Sequence, residues 1–334
     1  MSKIKPAKGS PYARILGVGG YRPIRVVPNE VILETIDSSD EWIRSRSGIA
    51  TRHWASPEET VAAMSVEASG KALADAGVAP EQIGAVIVST VSHFKQTPAV
   101  ATEIAHRIGA VKPAAFDISA GCAGFGYGLT LAKGMVVEGS AEYVLVIGVE
   151  RLSDLTDLED RATAFLFGDG AGAVVVGPSV EPAIGPTVWG SEGDKSDTIK
   201  QTVPWDEFRT KDTAEKFPAI TQEGQAVFRW AVFEMAKVAQ QALDAAGITA
   251  DDLDVFIPHQ ANMRIIDSMV KTLKLPEHVT VARDVETTGN TSAASIPLAM
   301  ERLLATGAAK SGDTALVIGF GAGLVYAATV VTLP

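Results

Sequence analysis

Two segments of the chain repeat each other, which limits the folds open to it. Residues 71–90 (KALADAGVAPEQIGAVIVST) and 241–260 (QALDAAGITADDLDVFIPHQ) align without a gap, 170 positions apart. Each copy has the pattern of an amphipathic helix stopped by glycine, a short acidic turn and a buried strand. Residues 143–148 (YVLVIG) and 314–319 (TALVIG) match again at a separation of 171. The order of these matches predicts two similar α/β halves.

A third pair of stretches, AGCAGFGYGLTLAKGMVVEG and TGNTSAASIPLAMERLLATG, lies between the other two. Placing Gly139 on Gly307, 168 positions apart, puts Cys122 opposite Asn290. A unit of helix, strand, loop, helix and strand is typical of a buried, mainly parallel sheet covered by helices. We therefore expect an α/β pseudo-dimer that binds its ligands in the cleft between the halves.

The repeat pattern breaks over residues 177–220, which are rich in Pro, Gly and charged residues. Such a composition is typical of a connection between folded units. We therefore expect an N-terminal half at 1–180 and a C-terminal half at 181–334, with this segment as the linker. The first half would carry Cys122, and the second would carry His259 and Asn290.

The charge of the chain excludes several kinds of partner. Among 334 residues, 40 acidic and 29 basic side chains give a net charge of −11 and a pI near 5.0. Without a block of Lys and Arg, such a chain is not expected to bind nucleic acid or an anionic membrane. No signal peptide and no membrane span of ~20 apolar residues is evident. A single cysteine excludes an intrachain disulfide, so a reduced, cytoplasmic protein is expected.

Cys122 is the first candidate for chemistry. It lies in FDISAGCAGFGYGLTL, where a strand-like start leads through small residues into a helical stretch. A helix N-terminus favours the thiolate, and its free N–H groups can bind an oxyanion. A buried structural cysteine fits this segment equally well.

His259 and Asn290 are the next candidates. His259 follows the strand-like DVFIP, at a place where α/β proteins carry functional groups, although a lone histidine is more often structural. Asn290, in ETTGNTSAAS, also fits a helix N-cap. The repeat favours function, because it brings the loops of Cys122 and Asn290 to one cleft. The other histidines show no ligand spacing, so no metal site is expected.

The motifs AGCAGF, PHQAN and TTGNTSAAS occur together with DEWIRSRSGI, FGDGAGA and GFGAG. In this order the chain resembles the thiolase superfamily, and within it the 3-oxoacyl-[acyl-carrier-protein] synthase III family, from about Arg14 to Val331. The resemblance implies an internally duplicated αβαβα layered fold. It also implies decarboxylative condensation of an acyl-CoA primer with malonyl-[acyl-carrier protein], through an acyl-cysteine, at the start of fatty acid biosynthesis. The products would be 3-oxoacyl-[acyl-carrier protein], CoA and CO₂.

The resemblance also assigns roles to residues. It implies a catalytic set of Cys122, His259 and Asn290, and an oxyanion hole of the Cys122 and Ala322 N–H groups. The implied CoA contacts are Trp42 and Arg161, which would sandwich the adenine, and Arg46, Gly224, Ala261 and Asn262. The implied carrier-protein contacts are Arg229, Gln260 and Arg264. The implied acyl-pocket residues are Thr97 and Phe320.

Thr97 differs from the residue that some relatives carry at this position, and the difference concerns the size of the primer that is accepted. The segment SHFKQTPAVA resembles a loop that reaches into the acyl pocket of a partner subunit. Relatives specific for acetyl groups carry a bulky Phe just before this proline. Because Thr97 lacks the ring, we expect primers larger than acetyl, including branched ones, to be accepted.

Other functions remain open at this stage. A cysteine hydrolase also uses Cys, His and Asn, and a non-catalytic partner subunit would share the fold but usually lacks the cysteine. A priming ketosynthase or acyltransferase of a polyketide pathway would keep the acyl-enzyme and change the acceptor. The resemblance implies a homodimer and no cofactor other than the CoA thioester that serves as substrate.

Overall fold

Each half of the chain builds a five-stranded sheet. The computed structural model describes residues 4–5, 7–210 and 216–334. The strands are β1 (Tyr12–Tyr21), β2 (Arg25–Pro28), β3 (Thr51–Trp54), β4 (Ile83–Ser89), β5 (Ala114–Ile118), β6 (Tyr143–Arg151), β7 (Asp169–Ser179), β8 (Val188–Ser191), β9 (Ile199–Gln201), β10 (Ile220–Gln222), β11 (Val255–Pro258), β12 (Thr280–Val281), β13 (Thr314–Gly321) and β14 (Val325–Thr332). The α-helices are α1 (Asn29–Ile32), α2 (Asp40–Ser47), α3 (Val61–Ala76), α4 (Val100–Ile108), α5 (Gly124–Glu138), α6 (Trp205–Phe208), α7 (Gly224–Phe233), α8 (Met235–Ala246), α9 (Met263–Leu273), α10 (Val285–Thr288) and α11 (Ser295–Ala305).

The two sheets have the same topology. The first has the strand order β1-β7-β6-β4-β5 and the second β8-β14-β13-β11-β12. In each, the first two pairings are antiparallel and the last two are parallel. The expected duplication is thereby confirmed. Four strands of each sheet run in the same direction, as the expected mainly parallel sheet requires, but one strand, β7 or β14, is reversed and makes half of the pairings antiparallel. A strand buried on both faces reads as one apolar run in either direction, so its sequence does not reveal the pairing.

The repeated segments fold as the sequence predicts. α3 and α8 end at Gly77 and Gly247, whose positive φ angles of 62° and 73° suit the left-handed residue that terminates a helix. After each glycine, a short turn leads into β4 and β11, whose residues are largely buried. The helix–turn–strand unit therefore occurs once in each half.

The separation of 171 also holds around Cys122, which corrects the expected match with Asn290. A 3-10 turn at Gly121–Ala123 precedes α5, and another at Ser292–Ala294 precedes α11. Gly148 packs against the carbonyl of Ala293, and Gly319 packs against that of Cys122. These reciprocal contacts make Ala293 the equivalent of Cys122. Matching the glycines after the helices shifted the alignment by three positions, because α11 is the shorter helix.

Helices and sheets alternate in five layers, so the expected αβαβα arrangement is confirmed. α5 and α11 share the central core with inward-facing residues of both sheets, including Val146 and Val317. α3 and α4 cover the outer face of the first sheet. α7, α8 and α9 cover the outer face of the second. A fourth cluster joins α1 and α2 to residues 152–167 beside the central cleft.

The connection between the halves is partly regular. β7 ends at Ser179, and β8 at Val188–Ser191 belongs to the second sheet. Residues 211–215 of the expected linker, and residues 1–3 and 6 of the expected N-terminal half, lie outside the described residues. The division near residue 180 stays a prediction. Within the described ranges, no helix is long and apolar enough to cross a membrane.

Candidate active site

Cys122, His259 and Asn290 line one cavity of about 220 Å³ between the halves. Each lies where an element begins or ends: Cys122 precedes α5, His259 follows β11, and Asn290 precedes the turn that leads into α11. Phe320 and Ala322, at the end of β13 and just after it, line the same cavity. The duplication therefore brings these three polar side chains into one largely apolar space.

Cys122 is held where neighbouring backbone comes unusually close. A methyl group on Gly321 would lie 2.9 Å from the Cys122 Sγ atom, so only glycine leaves room for the thiol. The 15 residues of α5 follow the Gly121–Ala123 turn, and their dipole favours negative charge at this end. Burial nevertheless raises the pKa of Cys122 to about 12, against a hydrogen bond from Ser292 that lowers it.

His259 is buried and its ring is fixed by Ser295. Its Nδ1 atom lies 2.7 Å from the Ser295 Oγ atom, which also accepts a hydrogen bond of 3.4 Å from the Gln260 N–H group. When the Ser295 hydroxyl donates its hydrogen to Nδ1, the proton of the neutral ring lies on Nε2. Burial lowers the pKa of His259 to about 3, so the imidazole ring is neutral near pH 7.

Asn290 is fixed in the orientation of a donor. Its backbone is bridged to the first half, since its N–H group donates to the Leu166 carbonyl at 2.8 Å and its carbonyl accepts from Gly168 at 3.0 Å. Its Oδ1 atom accepts a hydrogen bond of 2.8 Å from the Ser292 N–H group. Because that oxygen already accepts a hydrogen bond, the side-chain NH₂ group of Asn290 remains as the donor to a ligand in the cavity. Asn290 is thus arranged to donate, and a neutral His259 whose proton lies on Nε2 can donate as well.

A second cavity, of about 680 Å³, adjoins the first and is partly lined by the same residues, among them Val227, Ala261 and Asn290. Its other lining residues include Trp42, Arg46, Gly224, Arg229, Asn262 and Arg264. Most of the residues expected to contact CoA or carrier protein therefore surround one route to Cys122. The exposed Arg46, Arg161, Arg229 and Arg264 also form a local basic patch on an acidic chain.

Trp42 and Arg161 lie too close together for the expected adenine sandwich. The Arg161 guanidinium carbon is 4.8 Å from the centre of the Trp42 ring, and that of Arg46 is 5.9 Å from it. A base between Trp42 and Arg161 needs a stacking distance on each of its two faces. Arg161 would therefore have to move away before a base could enter.

Gln260 was expected at the carrier-protein surface, and that expectation is wrong. Its side chain is fully buried, donates to the carbonyls of Pro258 and Ala282, and accepts from the Val285 N–H group. With its polar groups engaged, Gln260 fixes the loop after β11. Thr97 is exposed and lies outside both cavities in the described part of this chain.

Three residues near the site were not predicted from the sequence. Ser292 and Ser295 both lie in TTGNTSAAS, in which Asn290 was the predicted functional residue. Glu150, next to last in the apolar strand YVLVIGVER, is a fully buried carboxyl group. A charged residue that closes a buried strand is the signal that could have identified it.

Comparison with known proteins now identifies the family. Residues 116–193 match the family model described as 3-oxoacyl-[acyl-carrier-protein (ACP)] synthase III, and residues 243–333 match its C-terminal model. The chain is 87% identical to beta-ketoacyl-[acyl-carrier-protein] synthase III 1 of Streptomyces coelicolor, over 100% of both chains. The chain belongs to the 3-oxoacyl-[acyl-carrier-protein] synthase III family. It is therefore an acyltransferase of the condensing type that initiates fatty acid biosynthesis.

Two further relatives agree with this assignment. The beta-ketoacyl-[acyl-carrier-protein] synthase III of Streptomyces glaucescens is 88% identical over 100% of both chains. The crystal structure of the priming beta-ketosynthase from the R1128 polyketide biosynthetic pathway is 47% identical. It has a TM-score of 0.97 and covers 100% of this chain and 99% of its own. The thiolase-like duplicated fold expected from the sequence is confirmed by this likeness.

Proposed function

We propose that Cys122 forms the acyl-enzyme of this condensing enzyme and that His259 and Asn290 stabilise the charge that develops during condensation. The observation that carries the proposal is the meeting of these three side chains in one cavity. The thiolate attacks the thioester of an acyl-CoA, and CoA leaves. The carbonyl oxygen of the acyl group accepts hydrogen bonds from the N–H groups of Cys122 and Ala322.

Malonyl-[acyl-carrier protein] then supplies the nucleophile. Loss of CO₂ leaves negative charge on the thioester oxygen, and the N–H donors of His259 and Asn290 stabilise this enolate. The carbanion attacks the carbonyl of the acyl group on Cys122 and gives 3-oxoacyl-[acyl-carrier protein]. Because CO₂ loss generates the nucleophile, no strong base is needed, which suits a neutral His259.

The second cavity supports a binding route for both thioesters. We assign the CoA to Trp42, Arg46, Arg161, Gly224, Ala261 and Asn262. Arg229 and Arg264 contribute to the basic patch that would receive the acidic carrier protein. The patch is local, because the whole chain carries a net charge of −11.

The primer pocket is assigned to Phe320 of this chain and Thr97 of a partner subunit. Phe320 packs against the His259 ring with centroids 5.4 Å apart, whereas the exposed Thr97 is free to reach a second copy. The enzyme would then be a cytoplasmic homodimer that needs no cofactor. We expect butyryl- and isobutyryl-CoA to serve at least as well as acetyl-CoA, and a Thr97→Phe variant to favour acetyl-CoA.

Intact-protein mass spectrometry tests the proposal. The enzyme is mixed with equimolar acetyl-, butyryl-, isobutyryl- and isovaleryl-CoA, and malonyl-[acyl-carrier protein] is added second. An acyl mass is expected that disappears as 3-oxoacyl-[acyl-carrier protein] forms, with no adduct on a Cys122→Ala variant. An adduct that only hydrolyses would overturn the condensing role of Cys122. A tenfold preference for acetyl-CoA would overturn the primer assignment alone.

A role in polyketide priming is the second candidate. It is favoured by the likeness to the priming beta-ketosynthase of the R1128 pathway, at 47% identity. Both functions share the acyl-enzyme and differ in the acceptor. Competition between malonyl-carrier proteins of fatty acid and polyketide pathways, with one acylated enzyme, separates the two functions.

A further inference from the structure

Trp230 is a large buried side chain that the proposed mechanism does not use. It lies on α7, within the apolar cluster that covers the second sheet, and it lines the same cavity as Cys122 and His259. Its indole N–H group donates a hydrogen bond of 2.8 Å to the Oε1 atom of Glu192. A buried indole needs a partner for its one polar group, so this bond restrains the orientation of the ring.

Phe320 contacts both Trp230 and His259. The centre of the Phe320 ring is 6.1 Å from that of Trp230, with the two planes at 72°, and 5.4 Å from that of His259, with the planes at 82°. Both contacts are edge-to-face, an arrangement that aromatic pairs favour. Phe320 also borders the open space of the cavity. Its ring therefore depends on packed neighbours such as Trp230 to stay against His259.

Glu192 joins Trp230 to the segment that carries Phe320. Its N–H group donates to the Leu324 carbonyl at 2.8 Å, and its carbonyl accepts from the Leu324 N–H group at 3.2 Å. Leu324 follows Phe320 by four residues, and Ala322, whose N–H group is assigned to the oxyanion hole, lies between them. Through its backbone Glu192 thus holds the segment of Phe320, and through its side chain it holds the ring that packs on Phe320.

The two carboxylate oxygens of Glu192 have separate partners. Oε1 accepts the hydrogen bond from Trp230, and Oε2 accepts one from Lys195. The hydrogen bonds from Lys195 and Trp230 hold the pKa of Glu192 below its usual range, so the side chain is an ionised acceptor near pH 7. Lys195 is 42% exposed, so its removal would leave no buried gap. Loss of Lys195 would spare the bond to Trp230, whereas loss of the carboxyl group would break it.

We propose that Trp230, anchored by Glu192, is a positioning residue for condensation that holds Phe320 edge-on against the His259 ring. The proposal rests on the role in condensation proposed above for His259. The contact of 2.7 Å with Ser295 restrains one atom of that ring, Nδ1. The packing of Phe320 restrains the plane of the ring. Together the two contacts keep Nε2 in place for the enolate oxygen.

Acylation of Cys122 should not depend on the side chains of Glu192 and Trp230. The donors assigned to acylation are the N–H groups of Cys122 and Ala322. Glu192 holds the segment of Ala322 through its backbone, which a change of its side chain leaves in place. Loss of the carboxyl group should therefore slow condensation and spare acylation. A general loss of stability would slow both half-reactions.

Single-turnover measurements of both half-reactions, at saturating malonyl-[acyl-carrier protein], test the proposal. Glu192→Ala and Trp230→Phe remove the acceptor and the donor of the same hydrogen bond. Both variants should condense about 10- to 100-fold more slowly, because a displacement of ~1 Å at a reacting group can cost about 10²-fold. Both should acylate Cys122 at nearly the wild-type rate.

Two further variants separate the bond to Trp230 from the ion pair. Glu192→Gln keeps an oxygen that can accept from the indole, so it should recover most of the condensation rate. Lys195→Ala is the matched control, because it removes the other partner of the same carboxylate. It should condense as the wild type does. A Glu192→Gln enzyme as slow as Glu192→Ala would overturn the role of the hydrogen bond.

A combined variant shows whether Trp230 acts through Phe320. Phe320→Ala removes the ring that contacts His259 and should itself slow condensation. Adding Glu192→Ala to Phe320→Ala should slow condensation no further, because residues that act through one contact are not additive. Losses that add would overturn the path through Phe320.

His259→Ala, measured in the same assay, separates this proposal from the function on which it rests. Slow condensation by His259→Ala beside a wild-type rate in Glu192→Ala would overturn the positioning role alone. Equal losses of acylation and condensation in Glu192→Ala would also overturn it, as a structural effect. Condensation by His259→Ala at the wild-type rate would remove the proposed role of His259, and the positioning role with it.

Discussion

Gly121 and Ser292 adopt the same backbone conformation, with φ 47° at both, 171 positions apart in the chain. Each opens the 3-10 turn that leads into a central helix. Glycine adopts this conformation freely, whereas a residue with a side chain loses about 1–3 kcal/mol. The second half therefore has a strained residue at this position, and the Ser292 side chain lines the same cavity as Cys122. The position is equivalent to Gly121 because the backbone is duplicated.

Relief of this strain gives the first prediction. Ser292→Gly should leave the free energy of unfolding unchanged or raise it by up to about 1 kcal/mol, because the relieved strain offsets the greater entropy of the unfolded chain. Gly121→Ala should lower it by about 1–2 kcal/mol, since alanine must adopt the left-handed conformation. Urea denaturation of both variants measures the difference. A Ser292→Gly protein less stable than Gly121→Ala would contradict the strain argument.

Close packing at Gly321 gives the second prediction. A methyl group there would lie 2.9 Å from the Cys122 Sγ atom, so Gly321→Ala should displace the thiol and nearly abolish acylation. Gly134→Ala is the control, because in α5 a methyl group at Gly134 meets no described atom within 4 Å. Replacing that helical glycine should raise stability by about 0.5–1 kcal/mol without loss of acylation. Intact-mass acylation rates and thermal unfolding give both readouts.

The sequence predicts the duplication and the polar residues of the cleft. It predicts less well which residue of one half is equivalent to which residue of the other. Glycines that end helices and apolar runs that form buried strands identify the repeated units, because both features depend on residues that are close together in the sequence. The match of Cys122 with Asn290 was wrong because α5 and α11 differ in length, and helix length depends on packing rather than on a local signal. The reversed strand in each sheet, β7 or β14, could not be predicted for a similar reason: a strand that is buried on both faces has no alternation of apolar and polar residues to show how it pairs.

Hydrogen-bond partners are the part of the site that sequence could not supply. Gln260 follows His259 directly, yet it is turned inward to satisfy three backbone groups. Ser295 contacts His259 across 36 positions, and Ser92 donates a hydrogen bond to Glu150 across 58 positions. Such contacts are set by the assembly of the layers. A sequence motif marks the loop, whereas the fold decides which of its side chains face inward.

The half-reactions of His259 and Asn290 variants give the third prediction. His259→Ala and Asn290→Ala should each slow condensation by about 10²–10³, the usual cost of one lost oxyanion donor. Acylation of Cys122 should change far less, because both side chains are assigned to the enolate. Single-turnover measurements of each half-reaction test this split. Equal losses in both would count against the assignment.

Ser295→Ala isolates the orientation of the His259 ring. Without the hydrogen bond of 2.7 Å to Nδ1, the ring loses the contact that orients it, and with it the donor role proposed for Nε2. Condensation should fall by about 10- to 100-fold, in line with the loss of other orienting partners. Ser295→Thr keeps the hydroxyl and should recover part of the rate. Condensation by Ser295→Ala at the wild-type rate would show that the bond does not set the tautomer.

The pH dependence of stability tests the burial of Glu150 without any substrate. Burial raises its pKa in the folded protein to about 7, from an ordinary 4.5, so the folded state holds this proton more tightly than the unfolded state. The contribution of Glu150 to stability is therefore present below about pH 4.5 and is lost as pH rises to about 7.

The Glu150→Gln variant has no carboxyl group at this position, so it does not lose this stability as pH rises. Relative to wild type, its free energy of unfolding should therefore rise by roughly 3 kcal/mol across this pH range, because one pKa unit corresponds to about 1.4 kcal/mol. His259, whose lowered pKa gives the opposite slope, is present in both proteins and cancels in the difference. Urea denaturation of both proteins at several pH values measures this gain, and a constant difference would show that Glu150 ionises in the folded protein as it does in water.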